Sequence, residues 1–349
     1  MKNTINRIKP ADKTTGNEVS AYLDTLTKPK GSLGRLEDLA VQLGEITSSR
    51  FPEVTPPGII VFAADHGIAK EGVSAYPQEV TAQMVQNFLN GGAAINVLAE
   101  QTGAMLEVVD IGIANDISNE KLINRKLCYG TANFLEEDAM SKEEAEASIK
   151  TGMEIGGQLI SKGAECIIPG EMGIGNTTSS SAILSVISGE EPGTLTGAGT
   201  GLSLEQLKHK QRIIEQAISR RKPDRDDPLD ILSKLGGFEI AGMTGAILEA
   251  ASRRKPVLID GFISSVSALL AVKLCGNVKD YLIIGHHSQE AGHKTVIRIL
   301  EKQPLLDLQL RLGEGTGAAL AFPLLEASSR LLKQMATFSS AGVAERNRP

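Results

Sequence analysis

Two acidic side chains that could do chemistry lie among glycines. Glu171 is part of IIPGEMGIGNTTSSSAIL (residues 167–184), where an apolar run leads into glycines and hydroxyls, and Glu314 lies between Gly313 and Gly315. Glycine loops after strands usually hold phosphate through backbone N–H groups, yet this loop has a carboxylate and no lysine. A carboxylate in an apolar pocket has a raised pKa and can accept a proton. The pattern predicts acid–base chemistry beside a phosphate; a solvated loop acid is the alternative for Glu314.

The loop after Glu171 matches neither common phosphate-binding motif. It lacks the lysine of GxxxxGK[ST], and its GIG is followed by NTT, which excludes GxGxxG. Amides at a helix start, helped by hydroxyls, can still hold one phosphate. A tight turn with an N-cap is the alternative. The phosphate-binding candidates in this loop are Gly173, Gly175, Asn176 and Thr177.

A second glycine loop, LTGAGTGLS (195–203), has the same character and contains Gly199. It opens a helix that carries Lys210, which can supply the positive charge that the first loop lacks. Two such loops suit one phosphate and a sugar better than a dinucleotide. A flexible turn without a ligand is the alternative.

Two further segments put polar groups after predicted strands. In VLIDGFISS, Asp260 and Gly261 stand where a strand becomes a helix; an acid there commonly binds ribose hydroxyls, and a buried N-cap is the alternative. GHHSQEAGH (285–293) has histidines, but their spacing does not indicate three tetrahedral metal ligands. We therefore predict no metal site and favour Ser288 as a ligand-binding hydroxyl.

These residues follow short apolar runs that are typical of buried parallel strands. The runs cover 58–67, 105–113, 164–171, 255–261, 281–288 and 305–315. Helical patterns lie between them, including 80–98 and two helices that begin at capping boxes, Ser141 with Glu144 and Ser203 with Gln206. Strands alternating with helices predict an α/β fold with a mostly parallel sheet. Ligands then bind at the carboxyl ends of the strands, where Asp65, His66 and Asp110 also lie.

Both ends of the chain are predicted to be helical. Residues 1–50 and 316–338 carry leucines at three- and four-residue spacing without strand-like runs. We expect a small helical domain built from residues 1–50 and 316–349. A large α/β domain, residues 51–315, would carry the active site.

Composition excludes several classes of protein. The 349 residues have a net charge of −6, no Trp and 3% aromatic residues, which argues against a nucleic-acid surface. Three scattered cysteines suit a reducing compartment. No segment has the length of a membrane span, and the N-terminus does not resemble a signal peptide. We predict a cytoplasmic protein that binds neither nucleic acid nor membrane.

Seven segments in order resemble the nicotinate-nucleotide–dimethylbenzimidazole phosphoribosyltransferases, which make the α-ribazole phosphate of the cobalamin lower ligand. They are KPKGSLGRLEDLA, ADHGIAKEGVSAYPQEVTAQMV, GEMGIGNTT, TGAGTGL, VLIDGFISS, HHSQEAGH and LRLGEGTGAALA. The resemblance covers nearly the whole chain. It implies a doubly wound, Rossmann-like large domain, a small domain from both termini and a homodimer.

The resemblance also implies roles for individual residues. Glu314 would be the general base, and Glu171, Gly173, Asn176, Lys210, Asp260 and Ser288 would lie near the phosphoribosyl group. Tyr76, Pro77 and Met84 would shape the benzimidazole pocket, with Leu312 as a further apolar wall. The expected substrates are nicotinate mononucleotide and dimethylbenzimidazole, without a cofactor or metal ion. A nicotinamide-dependent oxidoreductase and a nucleotide-binding protein without turnover are the alternatives.

Overall fold

Six parallel strands form one sheet in the computed structural model, which describes residues 1–197 and 201–344. The strands are β1 (Pro57–Ala64), β2 (Met105–Gly112), β3 (Leu122–Asn124), β4 (Cys166–Met172), β5 (Val257–Ile259) and β6 (Leu282–Ile284). Their spatial order is β3-β2-β1-β4-β5-β6, and every neighbouring pair is parallel. Helices cover both faces, so the predicted α/β, doubly wound, Rossmann-like fold is confirmed.

Helices connect these strands and form both ends of the described chain. Those that precede β4 are α1 (Lys2–Arg7), α2 (Lys13–Leu23), α3 (Arg35–Thr47), α4 (Val80–Leu89), α5 (Ala94–Thr102) and α6 (Lys142–Ser161). Between β4 and β6 lie α7 (Asn176–Ser188), α8 (Pro192–Leu195), α9 (Leu204–Arg221), α10 (Pro228–Leu235), α11 (Phe238–Ser252) and α12 (Phe262–Leu274). The last are α13 (His293–Leu300), α14 (Thr316–Gln334) and α15 (Phe338–Ala341).

Both predicted capping boxes begin helices. The Ser141 hydroxyl accepts from the Glu144 amide at 3.1 Å at the start of α6, and Glu144 accepts from the Ser141 amide at 2.7 Å. Ser203 accepts from the Gln206 amide at 3.3 Å at the start of α9. These bonds satisfy N–H groups that have no partner inside the helix.

One predicted element is wrong. The run 305–315 is not a strand: it makes one bridge, Leu306 with His286, and the left-handed backbone of Gln309 (φ 58°) then turns the chain. The segment 80–98 is helical as predicted, but it forms two helices, because Gly91 (φ 79°) follows the end of α4 before α5 begins. The three-residue strand β3 was not predicted.

The reversal in strand order creates the crevice where the site lies. From β1 the chain continues outward through β2 and β3, and from β4 it continues in the opposite direction through β5 and β6. Strands β1 and β4 pair directly, with Phe62 opposite Glu171. Ligands bind at such a switch point in doubly wound sheets, outside the carboxyl ends of the strands. Glu171 therefore lies at the position that the topology favours.

The two ends of the described chain meet. Leu26 and Thr337 form an antiparallel bridge, and a small separate core contains Val19, Leu23 and Leu332. Helix α3, however, also contributes to the main core, for example through Leu43. The division into 1–50 plus 316–349 and 51–315 therefore stays a prediction. No helix in residues 1–197 or 201–344 is long and apolar enough to cross a bilayer.

Candidate active site

The loop that presents Glu314 has an unusual backbone. Gly313, Glu314 and Gly315 all have positive φ, at 93°, 65° and 88°. This conformation is costly for a residue with a side chain, so surrounding contacts must hold it. Asp260 does so, because its two carboxylate oxygens accept from the amides of Gly315 (3.1 Å) and Ala318 (3.0 Å).

The Glu314 carboxylate is buried without a countercharge. Its residue is 4% exposed, and no ion pair of the described residues includes it. Burial and the charge of Asp260 raise the pKa of Glu314 to about 7, although a hydrogen bond from the Ile95 amide opposes this. Oxygen Oε2 has no hydrogen-bond partner among the described residues. One oxygen of this buried carboxylate is therefore unpaired among the described residues, and its role as general base stays a prediction.

Glu171 is the penultimate residue of β4 and lies beside the Glu314 loop. It is 7% exposed, and Oε2 accepts a hydrogen bond from the Asn176 side chain. Burial, followed by the charges of Glu239 and Asp260, raises the pKa of Glu171 to about 8. Gly313 lies so close that a Cβ atom there would come within 2.3 Å of Glu171 Oε1. The two acidic loops therefore contact each other.

The phosphate candidates come together at the start of α7. Gly175, with a left-handed backbone, precedes the helix, and Asn176 and Thr177 form its first turn. Lys210 reaches this turn from α9 and donates to the Thr177 hydroxyl at 2.8 Å. Burial lowers the pKa of Lys210 to about 8, and the charge of Glu290 opposes that shift. Phosphate binding by this group of residues stays a prediction; Gly199 lies outside the described residues.

Ser288 and Asp260 occupy neighbouring loops. Ser288 is 3% exposed, and its amide donates to Nδ1 of His293 at 2.9 Å. Gly261 packs against it, since a Cβ atom there would lie 3.4 Å from Cβ of Ser288. The N-cap alternative does not hold for the helix that follows Asp260, because α12 has no side-chain cap; both oxygens of Asp260 accept instead from amides at the start of α14. Its contact with ribose stays an untested prediction.

The four base-pocket candidates are less enclosed. Tyr76 and Leu312 are 51% and 58% exposed, Pro77 is also exposed, and Met84 is half-buried against the main core. A hydrogen bond connects their region to the phosphate loop: the Ile174 amide donates to the Thr81 hydroxyl on α4 at 3.1 Å. Their role in base binding remains a prediction.

The histidine segment has a structural explanation. His293 is fully buried, and burial together with His286 and His287 lowers its pKa to about 3. Its Nε2 lies 3.1 Å from the Ser265 hydroxyl, so both ring nitrogens have partners. Among the described residues, no group of three or more His, Cys, Asp and Glu side chains is arranged to hold a metal ion.

One buried pair beside the site does not follow from the sequence motifs. His66 lies at a predicted strand end, and no motif includes Glu239. Both are fully buried, and Nε2 of His66 lies 2.6 Å from Oε1 of Glu239. A lone acid in the first turn of the apolar helix FEIAGMTGAIL was a signal that could have identified Glu239.

Comparison with known proteins agrees with this site. A phosphoribosyltransferase family model matches residues 8–343. Nicotinate-nucleotide–dimethylbenzimidazole phosphoribosyltransferase from Chloroflexus aurantiacus is 50% identical over 347 residues, which cover 99% of each chain. The enzyme of the same name from Geotalea uraniireducens is 49% identical over 346 residues, covering 99% of this chain and 98% of its own.

A solved structure extends the similarity to three dimensions. The crystal structure of nicotinate-nucleotide–dimethylbenzimidazole phosphoribosyltransferase from Thermus thermophilus matches with a TM-score of 0.91 and 41% identity. The match covers 96% of this chain and 100% of that one. The chain therefore belongs to the family of nicotinate-nucleotide–dimethylbenzimidazole phosphoribosyltransferases.

Proposed function

We propose that this chain transfers the phosphoribosyl group of nicotinate mononucleotide to dimethylbenzimidazole or a related base. The products are α-ribazole 5'-phosphate and nicotinate. Membership of the family supports the reaction. The observation that carries the mechanism is the buried Glu314 carboxylate, whose Oε2 has no partner among the described residues.

The leaving group needs no acid. When the bond between the anomeric carbon and the pyridinium nitrogen breaks, its electron pair goes to that nitrogen and the ring departs neutral. The incoming benzimidazole attacks from the opposite face through one ring nitrogen, which inverts the anomeric centre from β to α. Its other nitrogen must then lose a proton.

Glu314 accepts that proton. A base is most effective when its pKa lies near the working pH, and burial raises the pKa of Glu314 to about 7. Asp260 and the Ile95 amide hold the loop and the carboxylate in place, so little reorganisation accompanies proton transfer.

Glu171 and Lys210 act on opposite ends of the phosphoribosyl group. The Glu171 carboxylate, when ionised, stabilises the positive charge that develops on the ribose, whereas Lys210 and the first turn of α7 bind the phosphate. This division explains how a glycine loop can carry an acid beside a phosphate. Ser288 and Gly261 would contact the same group, with Tyr76, Pro77, Met84 and Leu312 around the base.

The test is incubation of the purified chain with nicotinate mononucleotide and dimethylbenzimidazole, with products resolved by chromatography. We expect nicotinate and α-ribazole phosphate in equal amounts. Binding without nicotinate release would instead indicate a nucleotide-binding protein, and hydride transfer an oxidoreductase. A panel of benzimidazoles, purines and phenols would identify the preferred base.

We also propose that the chain acts as a homodimer in the cytoplasm. Its three cysteines are all unpaired, which suits a reducing compartment. Light scattering should give twice the monomer mass, and cell fractionation should recover the protein with the cytosol. A monomer, or recovery with membranes, would refute the corresponding part of the proposal.

A further inference from the structure

A buried imidazole–carboxylate pair lies against the loop that carries Glu171. His66 follows β1, Glu239 lies in the first turn of α11, and both are fully buried. Their nearest polar atoms, Nε2 and Oε1, are 2.6 Å apart. The remaining polar atom of each side chain, Nδ1 of His66 and Oε2 of Glu239, has no hydrogen-bond partner in the described chain. These two side chains therefore hydrogen-bond only to each other there.

Glycines let the neighbouring backbone pack directly on this pair. A Cβ atom on Gly173 would come within 3.4 Å of the His66 ring, and one on Gly175 within 3.2 Å of Cβ of His66. A Cβ atom on Gly237 would lie 2.3 Å from the His66 ring. Movement of the pair would therefore displace the turn between Glu171 and α7.

The pair also acts on Glu171 through charge. Glu239 is the charged group that contributes most, after burial, to the raised pKa of Glu171. Burial raises the pKa of Asp65; hydrogen bonds from Ala114 and Thr81 and the charge of His66 oppose this shift, and the charge of Glu239 adds to it. The acidic groups whose charges act on Glu171 are Glu239, Asp260 and Glu314, and Asp65 is the further acid that both members of the pair affect.

We propose that His66 and Glu239 are positioning residues, in which a proton on His66 offsets the charge of Glu239 so that Glu171 is ionised while the ribose reacts. Carboxylates that lie close together do not all ionise readily unless a positive group compensates them. An isolated buried charge is costly, and a buried imidazolium beside a carboxylate removes much of that cost. This inference rests on the proposed function, because it assigns the ionised state of Glu171 a role in the reaction.

The test compares the pH dependence of kcat/KM in two conservative variants. His66→Gln removes the positive charge, so we expect the acid limb of the profile to move to higher pH by about one unit or more. Glu239→Gln removes the negative charge, so the same limb should move to lower pH. The double variant should return towards the wild-type limb, since each change cancels the other.

Other outcomes would overturn the proposal. If both variants lose kcat equally at every pH with an unmoved limb, the pair is only structural. If His66→Gln leaves the limb in place while Glu239→Gln moves it, His66 carries no charge. Asp230→Asn is a matched control, because it removes a 7%-exposed carboxylate outside this cluster and should leave the limb unmoved.

A measurement without turnover separates this inference from the proposed function. Infrared difference spectra of the ligand-free protein follow the protonated carboxyl band of Glu171, which is assigned by its loss in Glu171→Gln. Its midpoint should be lower in Glu239→Gln than in wild type, even if no phosphoribosyl transfer is observed. If His66→Gln does not fold, the comparison of wild type with Glu239→Gln decides; an unchanged midpoint refutes the charge coupling.

Discussion

Two acidic regions of this protein differ in the partners of their carboxylates. In the inner site, Glu171 and Glu314 are buried near further acids, and the pKa values of both are raised, to about 8 and about 7. The second region is an outer cleft of about 740 Å³, lined by residues between 128 and 144 together with Arg221, Asp230, Ser233 and Phe238. There, Asp230 lies 3.1 Å from Lys142 and 2.9 Å from Lys234.

The same kind of side chain titrates in opposite directions in the two regions. Burial pushes the pKa of Asp230 upwards, but hydrogen bonds from Lys234, the Asp224 amide and Lys142 outweigh it and bring it to about 2. The inner carboxylates have no lysine or arginine that plays this part among the ion pairs of the described residues. A carboxylate that exchanges protons near neutral pH is therefore expected in the inner site, and the outer cleft is better explained by stability.

Among the variants of the two regions, Glu314→Gln should have the largest effect on turnover. It removes the proton acceptor but keeps the size of the side chain, so kcat should fall by about 10²–10⁴-fold. Affinity for nicotinate mononucleotide should change little, because the base acts on the other substrate. Steady-state kinetics and calorimetric titration measure the two effects. Turnover at the wild-type rate would remove the base assignment.

Glu171→Gln should have the next largest effect. Loss of a charge aimed at a developing positive centre is expected to lower kcat by about 10²-fold, by analogy with a single electrostatic group in other active sites. The Asn176 side chain, which donates to Glu171, can still donate to the new amide oxygen, so folding should persist. Comparison with Asp230→Asn under the same conditions is the control. An unchanged rate would make Glu171 a scaffold residue.

The pH profile of the wild-type enzyme should also report the inner site. Both carboxylates must be ionised to act, and their pKa values are raised to about 8 and about 7. As the pH falls through this window the groups become protonated, so kcat/KM should drop by about tenfold or more per pH unit. A profile that stays flat down to pH 5 would show that these carboxyls have ordinary pKa values.

Much of this fold was readable from local patterns. Buried apolar runs predicted five of the strands, and the Ser141 and Ser203 boxes predicted two helix starts. The run 305–315 was wrongly predicted to be a strand, because its composition suits one. The left-handed backbone of Gln309 interrupts the extended conformation there. Such a conformation is not encoded by residue type alone, since glutamine rarely adopts it.

The site was readable only in part. Glycines on both sides of Glu314 predicted its presentation, but the role of Asp260 in holding that loop depends on a contact across 55 positions. The pair of His66 and Glu239 spans 173 positions. Neither contact follows from spacing along the chain, because both require the strand order to bring distant segments together.

The smallest expected effect is on the free energy of unfolding. Its dependence on pH has opposite directions in the two regions. Glu171 has a folded pKa above its ordinary value of 4.5, so its contribution is complete at low pH and is lost as the pH rises towards 8. The loss is at most about 1.4 kcal/mol per pH unit, and Glu171→Gln should abolish it.

Asp230 has a lowered pKa, so its contribution is present above its ordinary value of 3.8 and is lost as the pH falls towards 2. Asp230→Asn should therefore lower the free energy of unfolding by about 1–2 kcal/mol at neutral pH. Urea unfolding of wild type and both variants from about pH 2 to about pH 9 covers both windows: the difference between wild type and Glu171→Gln should change only above pH 4.5, and the difference for Asp230→Asn only below pH 3.8. The same pH dependence in both differences would contradict the contrast between the regions.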